Sequence, residues 1–269
     1  MLTLYDSTTS VCAIKVRLSL IEKNIAFTSQ NIDLRSGDQF QPDYLKLNPN
    51  AVVPTLVDER FDETKTVITE SSVILQYLED TNPGSALLPV SSIDRANMRL
   101  WLKRVDDIVH PAIGTLTHAT VYRAAFLALD AQARKARLAK IPDENRRQRF
   151  TAVYKDGLNA PIVNKAVHAI NALIKDMDTT LNNSRFLAGP DYSLADCAVT
   201  PYANRLFDLG LLSLWTESAP RAYSWFINVK NRNNFGPAIT DYLLPEDLAV
   251  FGSMDPTTAS RVNGILEQR

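Results

Sequence analysis

Two short stretches hold polar groups in a pattern suited to an extended, peptide-like ligand. In the first, Ala51–Val57, a proline stands at the mouth of an apolar run. Because proline cannot donate a hydrogen bond to a sheet, Pro54 is expected at the first residue of a strand. A cis bond between Val53 and Pro54 would turn the Val53 N–H and C=O outward, where they could pair with the backbone of a ligand.

The second stretch, Thr69–Ser72, ends a β-branched run and leads into an apolar helix. Backbone N–H groups at the start of that helix, together with the Ser71 hydroxyl, would form an anion site. Glu70 beside them could bind an ammonium group. The two stretches together predict a ligand with an extended backbone, an α-carboxylate and an α-amine, such as a peptide with a γ-glutamyl end.

A serine and a cysteine, Ser10 and Cys12, stand at the turn that leads into the first predicted helix. A thiol in the first turn of a helix lies near the positive end of the helix dipole, which favours the thiolate. Cys12 is therefore either a reactive thiol or a small buried apolar residue. Ser10 is expected to cap the helix, and that role is compatible with a hydroxyl that also acts on a ligand. Cys197, inside an apolar helix, is expected in the core.

The elements that must position these residues follow from the hydrophobic periodicity. We predict strands over 2–5, 25–34, 54–58 and 66–69, and helices over 11–23, 39–47 and about 71–80. The first helix has one apolar stripe, and Lys15, Arg17 and Lys23 lie off it. The first strand, first helix and second strand form a βαβ unit, which predicts a parallel, buried pair of strands. The third and fourth strands are close enough to form a hairpin.

Two prolines and a glycine within 81–92 mark the best domain boundary in the sequence. We predict an α/β domain over 1–80, a linker over 81–92, an all-helical domain over 93–235 and a C-terminal tail over 236–269.

Four local signals organise the helical part. Pro111 is expected to kink or break the first helix, and Pro142 to separate two short helices. Residues Val167, Ile170, Leu173, Met177 and Leu181 recur at spacings of three and four and predict a long helix. Ser193–Asp196 matches a capping box, with Tyr192 as its hydrophobic staple. The basic stretch 134–149 is either a solvated helical face or a surface that attracts an anionic substrate or a partner.

The composition is that of a soluble globular protein, with 45% hydrophobic and 22% charged residues. The net charge of −1 gives no sign of nucleic-acid or membrane binding, and no apolar run is long enough to span a bilayer. Two distant cysteines favour a reducing compartment, and the first residues lack the pattern of a signal peptide, so a cytoplasmic location is expected. The three histidines have no ligand spacing with cysteines or carboxylates, so no metal site is predicted.

The VVPTLV and TESS motifs resemble the glutathione-binding half of the glutathione transferases. That resemblance implies a thioredoxin-like domain over 1–80 that takes glutathione as cosubstrate, followed by an all-α domain that binds an aromatic or apolar electrophile. The glutathione-binding residues would be Ser10, Val53, Pro54, Glu70 and Ser71. Ser10 would donate to the glutathione sulfur, and the thiolate would attack the electrophile by nucleophilic substitution. The resemblance also implies a homodimer or a heterodimer with a close homologue.

Two narrower resemblances suggest specialised reactions. The Ser-x-Cys pattern is similar to bacterial zeta-like transferases, which include the tetrachlorohydroquinone dehalogenases, and Gln41–Leu45 and Phe186–Gly189 extend that similarity. By residue match, Ser10 would prepare glutathione, and Cys12 would remove it from a conjugate by thiol exchange. Val67–Asp80 and Arg95–Asp107 resemble bacterial β-etherases, which cleave β-aryl ethers of lignin fragments by thiolate attack.

His110 and Thr117 lie on the helix that faces the electrophile in this family, so they are predicted to line the substrate pocket.

Three functions follow as alternatives. The first is a transferase, with β-aryl ether cleavage as its specialised form. The second is a reductive dehalogenase or thiol-exchange enzyme that uses Cys12. The third, of another class, is a non-catalytic, transferase-like binding module.

Overall fold

The computed structural model describes residues 1–61, 65–84 and 86–268. Parts of the predicted turn at 58–65, of the linker at 81–92 and the last residue of the tail lie outside this range. Contacts between Cα atoms divide the chain into two compact units. The first unit consists of Met1–Lys103, Ser184–Pro201 and Ile227–Leu244, and the second of Arg104–Asn183, Tyr202–Phe226 and Pro245–Arg269. The predicted division into four consecutive segments remains a prediction about folding domains.

The first unit is built around a four-stranded sheet in the order β2-β1-β3-β4. The strands are β1 (Leu2–Asp6), β2 (Thr28–Asn31), β3 (Thr55–Asp58) and β4 (Thr66–Ile68). Strand β1 pairs parallel with β2 and antiparallel with β3, and β3 pairs antiparallel with β4. The parallel pairing of the βαβ unit and the hairpin are therefore confirmed, within a thioredoxin-like mixed sheet.

Strand β2 differs from its prediction, because it is short and all of its residues are exposed. Its sequence, Thr-Ser-Gln-Asn, is polar, and it lies at the edge of the sheet, where it pairs on one side only. The expectation that this strand is buried was wrong, since a βαβ connection fixes the direction of pairing and leaves the burial of an edge strand to its side chains.

Fourteen α-helices of the described chain carry most of the rest of the structure. They are α1 (Val11–Glu22), α2 (Pro42–Leu47), α3 (Ser71–Thr81), α4 (Ser92–Arg104), α5 (His110–Ala119), α6 (Val121–Leu127), α7 (Ala131–Ala139), α8 (Glu144–Asp156), α9 (Pro161–Thr180), α10 (Leu194–Asp208), α11 (Pro220–Lys230), α12 (Phe235–Ala238), α13 (Pro245–Gly252) and α14 (Thr258–Glu267). No helix among the described residues is both long enough and apolar enough to cross a bilayer.

Helix α1 is enclosed on several sides within the first unit. It packs against α3 and α12, and its buried residues run without a break from Ala13 to Leu20. The three basic residues predicted to lie off its apolar stripe are buried as well: Lys15 and Arg17 at 0% and Lys23 at 7% exposure. Their ammonium and guanidinium groups are paired with Ser72, Asp6 and Glu79, and this pairing offsets part of the cost of burying the charges.

In the second unit, α5 packs against α9, α8 and α6, and α14 packs against α9. The predicted apolar stripe of α9 is confirmed, because its residues from Val163 to Met177 that recur at spacings of three and four are buried. Pro142 separates α7 from α8 as expected.

Pro111 does not break a helix at its own position. It occupies the first turn of α5, where a missing N–H costs nothing, and the irregularity lies before it as a π-helical turn over Val105–Val109.

Residues 236–269, predicted as a tail, contain the end of α12 and all of α13 and α14. Val262 on α14 and Asp247 on α13 are 0% exposed. Helices α13 and α14 have only 8 and 10 residues, so a period of 3.6 residues repeats too few times to be detected in the sequence.

The capping box at the start of α10 is confirmed. The Asp196 carboxylate accepts from the Ser193 N–H and from the Ser193 hydroxyl, both at 3.0 Å, and from the Leu187 N–H at 3.1 Å. The Ser193 hydroxyl also accepts from the Ala195 N–H at 3.3 Å. Every one of these groups is buried, so the box joins the loop before α10 to the helix itself.

Replacing Ser193 by alanine is expected to lower the free energy of unfolding by about 1 kcal/mol, because a helix-capping hydroxyl is lost. Chemical denaturation would measure the change. Ser193→Thr keeps the hydroxyl and serves as the control; an equal loss in both variants would show that packing, and not the cap, carries the effect.

Candidate functional site

The sheet register brings three of the predicted site segments to one end of the sheet. Tyr5 on β1 pairs with Thr55 on β3, and Leu56 on β3 pairs with Ile68 on β4. Since β3 runs opposite to both neighbours, the ends of β1 and β4 meet the beginning of β3. The turn that carries Ser10, the Val53–Pro54 bond and the Glu70–Ser71 pair all lie just beyond these strand ends.

Ser10 is the N-cap of α1, and its Oγ accepts from the Ala13 N–H at 3.3 Å. A serine hydroxyl has one donor and two acceptor positions, so this contact leaves the O–H hydrogen available. The predicted capping role is confirmed, and the geometry is compatible with donation to a bound sulfur.

Cys12 lies in the first turn of α1 and is half-buried, with its sulfur not in a disulfide. Cys197 is fully buried on α10, as predicted for a core residue, and burial raises the pKa of its thiol. The two cysteines therefore have different surroundings, and Cys12 has the more accessible thiol.

The Val53–Pro54 bond is cis, as predicted, and Thr55 begins β3 directly after it. No described residue forms a hydrogen bond with the Val53 N–H or C=O. The preceding carbonyl, that of Val52, accepts from the Tyr44 hydroxyl at 2.6 Å and from the Asn48 side-chain amide at 2.9 Å.

Tyr44 and Asn48 are positioning residues that the sequence did not reveal. Both are buried, and both also contact the Thr55 hydroxyl, at 3.0 and 3.2 Å. Burial raises the pKa of Tyr44 to about 12, so its hydroxyl stays protonated and able to donate. Together they clamp the chain on both sides of Val53. In the sequence, the motif that holds Tyr44 stands out only through the family resemblance.

Glu70 precedes α3, with an exposed side chain that does not cap the helix. Ser71 is buried in the first turn of α3. Beneath it, the Lys15 ammonium donates to the Ser72 hydroxyl at 2.9 Å. The start of α3 therefore combines helix N–H groups that no described residue pairs with and a buried Lys15 ammonium, which together suit an anion. The exposed Glu70 carboxylate next to them suits a cation.

A buried ion pair lies under the turn that ends at Ser10. Arg17 donates to the Asp6 carboxylate at 3.1 Å and to the Thr8 carbonyl at 2.9 Å, and its guanidinium lies 3.9 Å from the centre of the Tyr242 ring. Burial raises the pKa of Asp6 and lowers the pKa of Arg17, while their mutual attraction opposes both shifts. Arg17 thus fixes the turn from inside.

The two residues predicted to line a substrate pocket lie on α5, in the second unit. His110 is exposed at the start of the helix, with Nδ1 3.4 Å from the Tyr202 hydroxyl. Thr117 is buried, and its hydroxyl donates to the Ile113 carbonyl at 2.7 Å. Their roles toward a substrate stay predictions.

Two family models match the chain in order. The model described as the N-terminal domain of glutathione S-transferase matches residues 9–81, and the model for the C-terminal domain matches residues 122–233. Together they cover more than half of the chain.

Two relatives are similar over most of the length. The tetrachloro-p-hydroquinone reductive dehalogenase of Sphingobium chlorophenolicum is 27% identical over 244 residues, which is 88% of this chain and 94% of that protein. Protein LigF of Sphingobium sp. (strain NBRC 103272 / SYK-6) is 28% identical over 210 residues, covering 76% of this chain and 79% of that protein.

The crystal structure of the β-etherase LigF from Sphingobium sp. strain SYK-6 has the same fold. It aligns with a TM-score of 0.79 at 24% sequence identity, over 88% of this chain and 98% of that chain. Since both domain models match in order and a solved member shares the fold over most of the chain, we conclude that this protein belongs to the glutathione S-transferase family.

Proposed function

We propose that this protein is a glutathione transferase in which Ser10 holds the glutathione thiolate for attack on an aromatic or apolar electrophile. The observation that carries the proposal is the meeting of the Ser10 turn, Val53–Pro54 and Glu70–Ser71 beyond one end of the sheet. These segments supply, in order, a hydroxyl donor, the Val53 N–H and C=O, which form no hydrogen bond with any described residue, and an adjacent pair of anion and cation sites.

Glutathione would use each of these groups once. Its cysteinyl backbone would pair with the Val53 N–H and C=O, as an added strand does at a sheet edge. The amine of the γ-glutamyl residue would bind Glu70. The α-carboxylate of the same γ-glutamyl residue would accept from the Ser71 hydroxyl and from the N–H groups that begin α3. The sulfur would then lie toward the β1–α1 turn, where the Ser10 hydroxyl donates to the thiolate.

Cleavage of a β-aryl ether is the specialised reaction that we favour. The thiolate would attack the β-carbon, a C–S bond would form, and the C–O bond would break with the phenolate as leaving group, which then takes a proton from solvent. The similarity to LigF, a β-etherase of Sphingobium, supports this choice. Lignin fragments would be the source of such substrates, in a cytoplasmic enzyme that works as a dimer with itself or with a close homologue.

Tyr44→Phe tests the clamp around Val53. We expect the KM for glutathione to rise about fivefold with kcat nearly unchanged, since the loss of one neutral hydrogen bond is worth about 1 kcal/mol and affects bound substrate and transition state alike. Steady-state kinetics with glutathione as the varied substrate would measure it. Tyr223→Phe, in the other unit, is the matched control. A fall in kcat at constant KM would contradict the positioning role.

Reductive dehalogenation is the second candidate, favoured by the accessible thiol of Cys12 in the first turn of α1 and by the similarity to a dehalogenase. Glutathione would first displace chloride from a chlorinated hydroquinone. The Cys12 thiolate would then attack the sulfur of the conjugate. The bond between that sulfur and the ring carbon would break, the ring carbon would take a proton from solvent, and a mixed disulfide of Cys12 and glutathione would form. A second glutathione would release Cys12 as the thiol and leave as oxidised glutathione.

Cys12→Ala separates the two candidates. If thiol exchange operates, we expect the variant to accumulate the glutathionyl conjugate, because no thiol remains to remove it. Mass spectrometry of the products would detect this conjugate. Normal amounts of final product would remove Cys12 from the chemistry. Cys197→Ala is the control, since that thiol is buried.

A product assay decides the reaction itself. The protein and glutathione would be incubated with a β-aryl ether and, separately, with a chlorinated hydroquinone. A glutathionyl thioether with released phenol supports ether cleavage, whereas chloride with oxidised glutathione supports dehalogenation. Neither product, together with no retention on immobilised glutathione, would favour the non-catalytic binding module and overturn the proposal.

A further inference from the structure

A tyrosine from the last segment of the first unit lies on Arg17, the arginine under the turn that ends at Ser10. Tyr242 closes a short 3₁₀ turn, Thr240–Tyr242, that follows α12. The centre of its ring is 3.9 Å from the Arg17 guanidinium carbon, which is a cation–π distance. The ring therefore joins this segment to the helix that begins at the proposed reaction site.

The segment that carries Tyr242 is held against α1. Helix α12 packs on α1, and Phe235, Ala238 and Ile239 are buried there. Tyr242 itself is half-buried. Burial raises the pKa of Tyr242, while the Arg17 charge opposes the rise, so the phenol is neutral at physiological pH. A neutral aromatic ring thus covers the arginine.

The hydrogen bonds of Arg17 leave part of its guanidinium without an acceptor. The side chain is buried and donates to the Asp6 carboxylate and to the Thr8 carbonyl, but its Nε has no hydrogen-bond partner among the described residues. A buried donor without an acceptor is costly, and the ring of Tyr242 offsets part of that cost. Without the ring, the guanidinium would turn toward water and loosen its other contacts.

The contact between Arg17 and the Thr8 carbonyl connects this ring to Ser10. The Ser10 N–H donates to the Ser7 carbonyl at 3.1 Å, so Thr8 lies inside the turn that ends at Ser10. Arg17 holds the middle of that turn at 2.9 Å. A looser turn would displace the Ser10 hydroxyl, and a displacement of about 1 Å in a reacting group costs up to about 100-fold in rate.

We propose that Tyr242 is a positioning residue for the glutathione site. Its ring holds Arg17, and Arg17 in turn holds the β1–α1 turn in the geometry from which the Ser10 hydroxyl donates to the thiolate. The inference rests on the proposed function. It assigns a part in that site to residues 240–242, which the sequence predicts to be a segment of the tail.

A second tyrosine–arginine pair in the same unit provides a matched control. The Arg232 guanidinium carbon lies 4.0 Å from the centre of the Tyr192 ring, and Arg232 donates to the Glu22 carboxylate through two nitrogens. Tyr192 is half-buried, as Tyr242 is. The two pairs have the same chemistry, but Arg232 forms no hydrogen bond with the β1–α1 turn among the described residues.

Ultraviolet difference spectroscopy can titrate the thiol of glutathione bound to the protein, because the thiolate absorbs far more strongly than the thiol. With Tyr242→Leu we expect the pKa of bound glutathione to rise by about 1 unit, a tenfold loss of thiolate stabilisation. Tyr242→Phe keeps the ring and should restore the parent value, and Tyr192→Leu should leave that value unchanged. In a Ser10→Ala background, Tyr242→Leu should cause no further shift, because the hydroxyl through which it acts is gone.

The parent pKa in Tyr242→Leu would overturn the inference. So would an equal rise in Tyr192→Leu, which would indicate a general effect of packing, or an undiminished further rise in the Ser10→Ala background. If glutathione does not bind, or if Ser10→Ala alone leaves its pKa unchanged, the proposed function fails and this inference with it. Should circular dichroism show that Tyr242→Leu is unfolded, Tyr242→Met, whose flexible side chain fills irregular space, takes its place with the same expectation.

Discussion

Replacing Ser10 by alanine is expected to lower kcat/KM for conjugation about 100-fold, the size of effect found when one donor to a developing or bound anion is removed. The hydroxyl that we propose as the donor to the glutathione thiolate disappears, while the backbone groups that hold the peptide remain. The pH profile gives a second readout. Without the donor, the bound thiolate is less stable, so the apparent pKa of kcat/KM for the electrophile, with glutathione saturating, should rise by about 2 units. A shift of that size corresponds to the same free energy as the 100-fold loss of kcat/KM.

Ser10 is also the cap of α1, so loss of activity must be separated from loss of stability. Ser10→Ala is expected to cost about 1 kcal/mol of folding free energy, whereas Ser10→Gly costs only a few tenths, because glycine is accepted at a helix N-cap. Both variants should lose activity equally if the hydroxyl acts on the thiolate. A Ser10→Gly enzyme with normal kcat/KM and an unshifted pH profile would show that Ser10 does no more than cap the helix.

Arg17→Leu is expected to lower the free energy of unfolding by about 3–5 kcal/mol, because it leaves the buried Asp6 carboxylate without its positively charged partner and with only the Ser29 hydroxyl as side-chain donor. It also frees the Thr8 carbonyl and removes the group on which Tyr242 lies. Urea denaturation near pH 7.5 would measure the loss. The exposed ion pair of Lys46 with Asp43 provides the control, since Lys46→Leu should leave the midpoint unchanged.

The same variant should be sensitive to pH in a defined direction. The pKa of Asp6 is already raised by burial, and removal of Arg17 takes away the attraction that opposes this shift. A carboxyl whose pKa is raised in the folded state favours folding when it is protonated. Its contribution to the free energy of unfolding is therefore full below about pH 3.9, the unfolded-state pKa of Asp, and is lost as the pH rises through the folded-state pKa. The stability gap between variant and parent should therefore narrow as the pH falls.

A second substitution checks the cause. Asp6→Leu combined with Arg17→Leu should recover much of the lost stability, because a buried ion pair is often replaced by apolar residues at little cost. If the double variant were as unstable as Arg17→Leu alone, the contacts to Thr8 and Tyr242, and not the unpaired carboxylate, would account for the loss.

The sequence by itself determined the features that depend on neighbouring residues. Pro54 at the start of a strand, Ser10 as a helix cap, the capping box at Ser193 and the stripe of α9 each follow from backbone geometry or from a period of 3.6 residues. Such signals need only a few adjacent side chains, so they are readable before the chain is folded. The pairing of β3 with β4 follows in the same way from a short connection.

The tertiary structure decided the features that join distant residues. The clamp of Tyr44 and Asn48 on the Val52 carbonyl has no local pattern. Arg17 lies off the apolar stripe of α1 and is nevertheless buried, because a helix enclosed on several sides also buries residues outside its stripe. Its burial depends on Asp6 and on Tyr242, and a contact with Tyr242 cannot be read from the period of α1. The chemistry of single groups was therefore visible in the sequence. The side chains that position these groups and form ion pairs with them become their neighbours only when the chain is folded.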